Sequence, residues 1–392
     1  MEKSGSILGD RLKQLRLARG LSLDGLVEAM GSTVSKQSLS KYERGLSAPS
    51  EGVLASLSEA LGIAHERLLA PSAVELVAFR KTTKLSQAET ERIEELIRFA
   101  LEERGRVETL IGHAPPDLPH GCFHVENAAA AEQAAGLLRR QWGLGTGPIA
   151  NVVAVLEQHG IHVIEIDAGE GFDGLSAVAR DAKRRPVALA VVSRRGVDGE
   201  RQRLNLAHEL GHLVMKLPDG VSVKDEESMA FRFGSAFLAP ADSLRRDVGV
   251  RRRYISAPEL LLLKRRYGMS VQALLYRLHV LEVINPESYK KWCMIVARLG
   301  WKKKEPEPWL PERSTWLERN VTRAHAEGAL AAEDALRIFA TEMGRTDSLT
   351  LLDKSDFRTM DPGESAKIVE QQVREMALRF RAPGSQDNPV DL

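Results

Sequence analysis

The chain has 392 residues, of which 43% are hydrophobic, 28% charged and 5% aromatic, with a formal net charge of +1. Its length favours two or three domains, and two distant cysteines exclude a secreted disulfide-rich scaffold. Since no apolar run approaches the ~20 residues that cross a bilayer and Met1–Ser6 lacks a signal-peptide core, we expect a soluble cytoplasmic protein without membrane contact.

The first 70 residues have the pattern of short amphipathic helices with tight turns and no strand-like run. Ser22 and Ser35 are typical N-caps of two short helices that end at Gly31 and Gly45. This spacing predicts a helix-turn-helix, whose second helix could reach base edges in the major groove. Segment 7–46 carries seven basic and four acidic residues, a modest electrostatic footprint. Because small helical bundles share such patterns, the pattern alone leaves DNA binding open.

Residues 8–62 resemble an XRE-type, or phage-repressor, helix-turn-helix domain in the stretches LKQLRLARGLSLDGLVEAMG, VSKQSLSKYERG and APS. The resemblance implies a five-helix domain over 1–70 that binds double-stranded DNA, with a buried ion pair between Arg16 and Glu43. We expect a homodimer, because single units usually read paired half-sites. The resemblance also implies five DNA-facing residues: Lys36, Gln37 and Lys41 towards bases, with Ser38 and Ser40 near bases or phosphate.

Residues 71–111 are predicted to be helical, with strong charge from Leu85 to Arg106 and Ser86 as an N-cap. A cluster of turn-forming residues follows at 112–119. We therefore expect a helical connector and linker over 71–120 and a domain boundary at its end.

The next block, assigned to 121–300, changes character. Helical patterns at 126–142 and 148–159 precede three strand-like runs, and helical patterns then continue from Gly199 to about Arg298. The predicted strands are Ile161–Ile166, Gly174–Ala179 and Val187–Val192. This composition predicts an α+β domain with a small sheet.

A metal-binding motif begins the helical part as His208-Glu209-Leu210-Gly211-His212. On a helix, positions i and i+4 share a face, so both imidazoles can reach one ion while Glu209 acts on a bound water. Gly211 in mid-helix indicates a close packing contact. The alternative is a structural helix with two hydrogen-bonded histidines and an exposed Glu209.

A catalytic zinc site needs a third protein ligand and an open position. The following helix offers Asp225, Glu226 and Glu227. Glu227 falls on the face that packs inward, whereas Glu226 points about 100° away. We therefore predict Glu227 as the third ligand, and for Asp225 and Glu226 a favourable charge at the helix N-terminus.

Residues 125–310 resemble the ImmA/IrrE metallopeptidases, in the stretches GIHVIEID, FDGLSA, ERQRLNLAHELGHLVM, ESMAFRFGSAFLAP, SVQALLYRLHVL and GWKKKEP. The resemblance implies a zincin-like fold, Zn²⁺ held by His208, His212 and Glu227, and Glu209 as general base. Relatives often carry Asn or His where this chain has Phe231.

These features predict a mostly helical α+β protein: a helix-turn-helix domain, a zincin-like domain, a helical C-terminal region over 301–381 and a disordered tail over 382–392. We expect a DNA-binding regulator that cleaves a protein such as a repressor in a stress, prophage or toxin–antitoxin response. Its substrate would pair with an edge strand, for which we choose Val187–Val192. The alternatives are a non-proteolytic transcription factor or antitoxin, and a purely structural interaction protein.

Overall fold

The computed structural model describes residues 2–70, 72, 74–79, 85–112, 118–169 and 171–343. These residues are mostly helical, with a small mixed sheet in the middle, as expected for the α+β class. The chain divides into two compact units, Met1–Asn320 and Val321–Leu392. Among the helices of the described residues, none combines the length and the apolar character needed to cross a membrane.

Five helices form the N-terminal module, as predicted. Ser22 and Ser35 cap the second and third helices by accepting hydrogen bonds from the backbone N–H groups of Gly25 and Ser38. The apolar sides of the helices meet in one core that includes Leu12, Leu26, Leu39 and Leu57. The helices are α1 (Glu2–Ala18), α2 (Leu23–Ala29), α3 (Lys36–Glu43), α4 (Glu51–Leu61) and α5 (His65–Leu69).

The predicted connector contains both a strand and a helix. Strand β1 covers Glu75–Phe79, where we predicted helix, so this part of the prediction is wrong. The segment is extended because it pairs with a distant strand, and local periodicity carries no information about such a partner. Helix α6 (Gln87–Leu110) is confirmed, including the Ser86 cap. Residues 113–117 of the predicted boundary lie outside the described residues.

The predicted central strands are confirmed as β3 (Ile161–Ile166), β4 (Gly174–Arg180) and β5 (Pro186–Arg194). With β1 they form a sheet in the order β1-β4-β5-β3, in which β3 and β5 are parallel and the other pairs antiparallel. Two short strands, β2 (Phe123–His124) and β6 (Met215–Lys216), form a separate parallel pair.

Helices cover both faces of the sheet. Val163, Val178 and Val191 point into a core shared with helix α9 (Gly199–Val214), whereas Ala177 and Ala190 point into a core shared with α6. The sheet therefore lies between α9 and α6. The remaining helices are α7 (Ala128–Gln141), α8 (Val152–Gln158), α10 (Val223–Leu238), α11 (Ala241–Val248), α12 (Ala257–Tyr267), α13 (Val271–Val280), α14 (Pro286–Arg298), α15 (Trp316–Ala326) and α16 (Ala332–Met343).

Helix α6 also takes part in the core of the N-terminal module. Phe99 packs among its leucines, and the buried carboxylate of Glu102 accepts a hydrogen bond from Arg11 on α1 at 2.7 Å. Glu103 forms a second ion pair with Arg67 of α5. Helix α6 thus joins the N-terminal module to the sheet through packed surfaces rather than as an exposed spacer.

Two helices, α15 and α16, fall within the predicted C-terminal helical region. Residues 344–392, which include the predicted tail at 382–392, lie outside the described residues.

Candidate metal centre

Buried charged groups hold helix α9 in place near its start. Glu200 forms a buried ion pair with Lys264, and Arg203, which is fully buried, pairs with Glu312. The Glu312 carboxylate also accepts hydrogen bonds from the backbone N–H groups of Val152 and Val153 at the start of α8, at 2.6 and 3.0 Å. Each of these charges therefore has a partner, which makes its burial tolerable.

Two glycines let α9 and α10 approach closely beside the histidines. A Cβ added at Gly234 would lie 2.9 Å from the backbone nitrogen of His208, and one added at Gly211 would lie 3.0 Å from the Phe233 ring. The predicted close packing contact at Gly211 is confirmed. The contact between the helices sets the distance between the motif on α9 and the carboxylates at the start of α10.

Three predicted ligand residues come together at this crossing. The Nε2 atoms of His208 and His212 are 3.2 Å apart. Oε2 of Glu227 lies 3.3 Å from Nε2 of His208, and Oε1 of Glu227 lies 3.8 Å from Nε2 of His212. One donor atom from each residue lies within 4.8 Å of the others.

This arrangement of donor atoms fits a zinc ion. Ligand atoms that surround a tetrahedral zinc at 2.0–2.1 Å are about 3.3 Å from one another, close to the shortest distances seen here. Two imidazoles and one carboxylate are also a donor set that catalytic zinc sites use, with the fourth position left for water. The residues therefore can hold a divalent metal ion.

Glu209 lies beside the three donors and is buried. Its Oε1 is 4.0 Å from Nε2 of His208, and its side chain is 7% exposed. Gly174, the first residue of β4, lies against it, so that a Cβ there would be 3.4 Å from Cγ of Glu209. Strand β4 thus forms one wall of the site and leaves room for the carboxylate.

Glu226 contacts the site from its outer side, which our sequence reasoning missed. Its Oε1 lies 3.4 Å from Nδ1 of His212, the nitrogen that faces away from the other ligands. A carboxylate in this position orients a metal-binding imidazole and raises its basicity. The helical projection placed Glu226 correctly off the inward face, but it ignored the reach of the side chain. Asp225, in contrast, accepts a local hydrogen bond from Ser222 at the helix start.

Phe231 forms an apolar wall at the same site. Its ring centroid lies 4.1 Å from that of His208, and the residue is 45% exposed. A phenyl ring donates no conventional hydrogen bond to an imidazole, so it restricts the ring of His208 by contact alone. Its exposed part offers an apolar surface next to the ligands.

The prediction that Val187–Val192 is an edge strand that pairs with the substrate is wrong. Strand β5, which includes Val187–Val192, pairs with β4 on one side and with β3 on the other. Its backbone groups are therefore already paired, and it cannot accept an added strand. The continuous apolar run that suggested β5 is typical of a strand buried at the centre of a sheet.

The predicted DNA-facing residues lie on α3. Lys36, Gln37 and Lys41 are exposed, whereas Ser38 and Ser40 are half-buried. The Ser38 hydroxyl is 3.0 Å from that of the capping Ser35. Ser38 therefore has a local structural role in addition to any contact with DNA.

Ion pairs position this helix and one of its side chains. The implied pair between Arg16 and Glu43 is confirmed, with two hydrogen bonds of 2.6 and 2.9 Å in a buried setting. Nζ of Lys36 lies 2.5 Å from the Asp24 carboxylate on α2. Lys36 would have to exchange this exposed contact for one with DNA.

Comparison with known families identifies two segments. Residues 7–70 match the model of a helix-turn-helix domain, and residues 156–279 match that of the IrrE N-terminal-like domain, a metallopeptidase family. The second match includes all three candidate ligands and Glu209. A search of curated proteins found no match to the chain.

Proposed function

We propose that this chain, which joins a helix-turn-helix domain to an IrrE-like metallopeptidase domain, is a DNA-binding regulator with zinc-dependent endopeptidase activity. Its substrate would be a protein such as a repressor, cleaved in a stress, prophage or toxin–antitoxin response. The observation that carries the proposal is the triangle of His208, His212 and Glu227 donor atoms with Glu209 buried beside it.

The chemistry follows from the positions of these side chains. A zinc ion held by the three donors would polarise the scissile carbonyl and lower the pKa of water. Glu209 would accept a proton from the attacking water and pass it to the leaving amine. Glu226 would hold the imidazole of His212 in the tautomer whose Nε2 faces the other donors.

The N-terminal module supplies the second half of the proposal. An exposed recognition helix with Lys36, Gln37 and Lys41 is suited to enter the major groove of double-stranded DNA. A homodimer would place two such helices on paired half-sites.

The experiment compares Glu209→Gln with His212→Ala in zinc content and in cleavage of helix-turn-helix repressors encoded beside the gene. Glu209→Gln should keep one zinc per chain but lose about 10²–10⁴-fold in cleavage rate, because the general base is removed. His212→Ala should lose zinc, and His124→Ala, at an exposed position, should change neither quantity. Full cleavage by Glu209→Gln would refute the mechanism, and tight zinc without cleavage would support a non-proteolytic regulator.

A further inference from the structure

The first strand of the sheet comes from outside the segment that matches the peptidase family. Strand β1 pairs with β4 in antiparallel register, from Glu75 opposite Arg180 to Phe79 opposite Ser176. Because the strand order is β1-β4-β5-β3, β4 would be an edge strand if β1 were absent. The chain therefore covers one edge of its own catalytic sheet.

The covered edge is the one that borders the metal centre. Gly174 at the start of β4 lies against Glu209, and the preceding carbonyl of Asp173 accepts a hydrogen bond from Asn205 of α9 at 3.1 Å. The opposite edge, β3, is two strands further away. An extended peptide that presents a carbonyl to Glu209 and its neighbours would thus lie along β4.

We propose that β1 is an internal competitor of the substrate: it occupies the β4 edge, along which an extended segment of the substrate protein would pair, until that segment displaces it. The inference rests on the proposed endopeptidase function, since it names how the substrate is held. Strand addition supplies main-chain hydrogen bonds that any sequence can make, and side chains at alternate positions supply the selectivity.

The side-chain pattern of this edge indicates which segments fit. Leu175, Ala177 and Ala179 of β4 point into the core beneath α6, where Leu76 of β1 packs as well. A segment that replaces β1 should therefore be extended and apolar at alternate positions, as β1 is.

The contacts next to β1 connect it to the N-terminal module. The Ser72 hydroxyl lies 3.0 Å from the carbonyl oxygen of Val74 and also contacts the Glu102 carboxylate, which binds Arg11 of α1. Displacement of β1 would therefore act on a contact that holds α1 against α6. Binding of substrate and the position of the DNA-binding module would share this element.

A tethered strand competes strongly with a free peptide. Its effective concentration at the β4 edge is on the order of millimolar, so only a segment that binds well, or a chain with a weakened β1, gives a stable complex. Weakening β1 should therefore raise the affinity for a peptide of the same sequence by about 10-fold or more.

The test uses two variants of the full chain, one in which a disulfide fixes β1 to β4 and one in which prolines detach β1 from β4. Glu75→Cys with Arg180→Cys, made in a Cys122→Ser and Cys293→Ser background, places two thiols directly opposite each other at the end of the ladder that is distant from the metal centre. Because neighbouring N–H groups of a strand face opposite edges, Val77→Pro with Ala78→Pro removes one donor that faces β4, and the two proline rings should release β1. Oxidised Glu75→Cys alone is the matched control, and circular dichroism verifies folding of each variant.

The probe is a fluorescein-labelled peptide with the sequence of residues 74–79, VELVAF, followed by anisotropy and by amide exchange. We expect it to bind the double-proline chain at least about 10-fold more tightly than the unmodified chain, to slow exchange at Gly174–Arg180, and to be excluded from the oxidised double-cysteine chain. The reduced form should bind as the unmodified chain does. If the double-proline chain fails to fold, the oxidised and reduced forms still decide the outcome.

Equal peptide affinity in the locked, reduced and released chains, or no binding to any of them, would overturn the inference. Acetohydroxamate, which needs only the metal, should bind all zinc-loaded chains equally. If acetohydroxamate does not bind the zinc-loaded chains, the result counts against the proposed enzyme. If the peptide affinity does not depend on the state of β1, the result counts only against the role proposed for the β4 edge.

Discussion

At the scale of single residues, the candidate metal centre includes a side chain that is not one of the three candidate ligands. Glu226 contacts the outer nitrogen of His212, and the neighbouring Glu227 contacts the inner nitrogens of both histidines. Two adjacent carboxylates at the start of one helix thus contact different atoms, because the first reaches the outer nitrogen of His212 and the second reaches the inner nitrogens of both rings.

We expect Glu226→Gln to weaken zinc binding by about 10–100-fold without unfolding the protein, because the amide cannot supply the negative charge that supports His212. Competition with a chelator of known affinity measures the change. Asp225→Asn is the matched control, since Asp225 accepts its hydrogen bond from Ser222. Equal zinc affinity in the two variants would contradict the role of Glu226.

Another pair of ionisable residues lies between α6 and β3, away from the candidate metal centre. Oε1 of Glu108 is 3.5 Å from Nε2 of His162. Burial raises the pKa of Glu108 to about 6, against an opposing effect of Arg104. Burial also lowers the pKa of His162 to about 3, and Arg104 adds to this effect. At neutral pH the imidazole is therefore uncharged, and the contact is not an ion pair.

Glu108 should make folding less favourable as pH rises. Its folded pKa of about 6 lies above the ordinary value of 4.5, so its contribution to stability is complete below pH 4.5 and is lost as pH rises through 6. We expect Glu108→Gln to raise the free energy of unfolding by about 1–2 kcal/mol at pH 7.5 relative to the parent chain, and by much less at pH 4.5. Urea unfolding at both pH values measures the difference.

Comparing variant with parent removes the opposite dependence of His162, whose folded pKa lies below its ordinary 6.5 and whose contribution is lost as pH falls. Glu91→Gln, at a half-exposed site on the same helix where the carboxylate pairs with Lys13 of α1, serves as control. If the difference in unfolding free energy between Glu108→Gln and the parent chain does not change with pH, burial does not disfavour the charged form of Glu108.

At the scale of elements, the contact between α9 and α10 determines whether the ligands meet. We expect Gly234→Ala to lower the free energy of unfolding by about 1–3 kcal/mol and to weaken zinc binding, because the new methyl group would meet the backbone of α9, which cannot move as a side chain can. Thermal unfolding and zinc titration measure the two effects.

Gly105→Ala in α6 is the matched control for this substitution. Among the described residues, and apart from the adjacent residues and the helix's own nearby backbone, no heavy atom lies within 4 Å of a Cβ added there. Alanine should therefore be neutral or stabilise the helix by up to about 1 kcal/mol. Tight zinc binding by Gly234→Ala would show that the closeness of the helices is not needed for the site.

At the scale of the molecule, helix α6 packs against both the N-terminal module and the central sheet. Phe99 and Glu102 face the N-terminal module. Ile93, Ile97 and Leu101 face the core that α6 shares with the sheet. A helix whose two sides are both packed transmits displacement better than an exposed linker, since packed interfaces resist gradual deformation.

We expect Lys36→Ala combined with Gln37→Ala to abolish preference for the operator while salt-dependent binding to any duplex persists. Base contacts carry sequence information worth about 1–3 kcal/mol each, whereas phosphate contacts do not discriminate. Anisotropy on operator and scrambled duplexes at several salt concentrations measures the ratio. Lys13→Ala, at an exposed site on α1, should preserve it. Retained preference in the double variant would place recognition elsewhere.

Several features were open to prediction from sequence because their determinants are local. Caps at Ser22, Ser35 and Ser86 and the periodicity of the central strands depend on neighbours within a few residues. The spacing of His208 and His212 fixes their shared face by helix geometry alone.

Only the tertiary structure decided which segments meet. The extended state of Glu75–Phe79, the central place of β5 and the contact of Glu226 with His212 all depend on partners far along the chain or on the reach of a side chain. Local pattern describes what a segment can bury or pair with, whereas the partner is selected by packing of the whole chain. For this reason the shared face of the two histidines was predictable from one helix, but the strand that covers the neighbouring sheet edge was not.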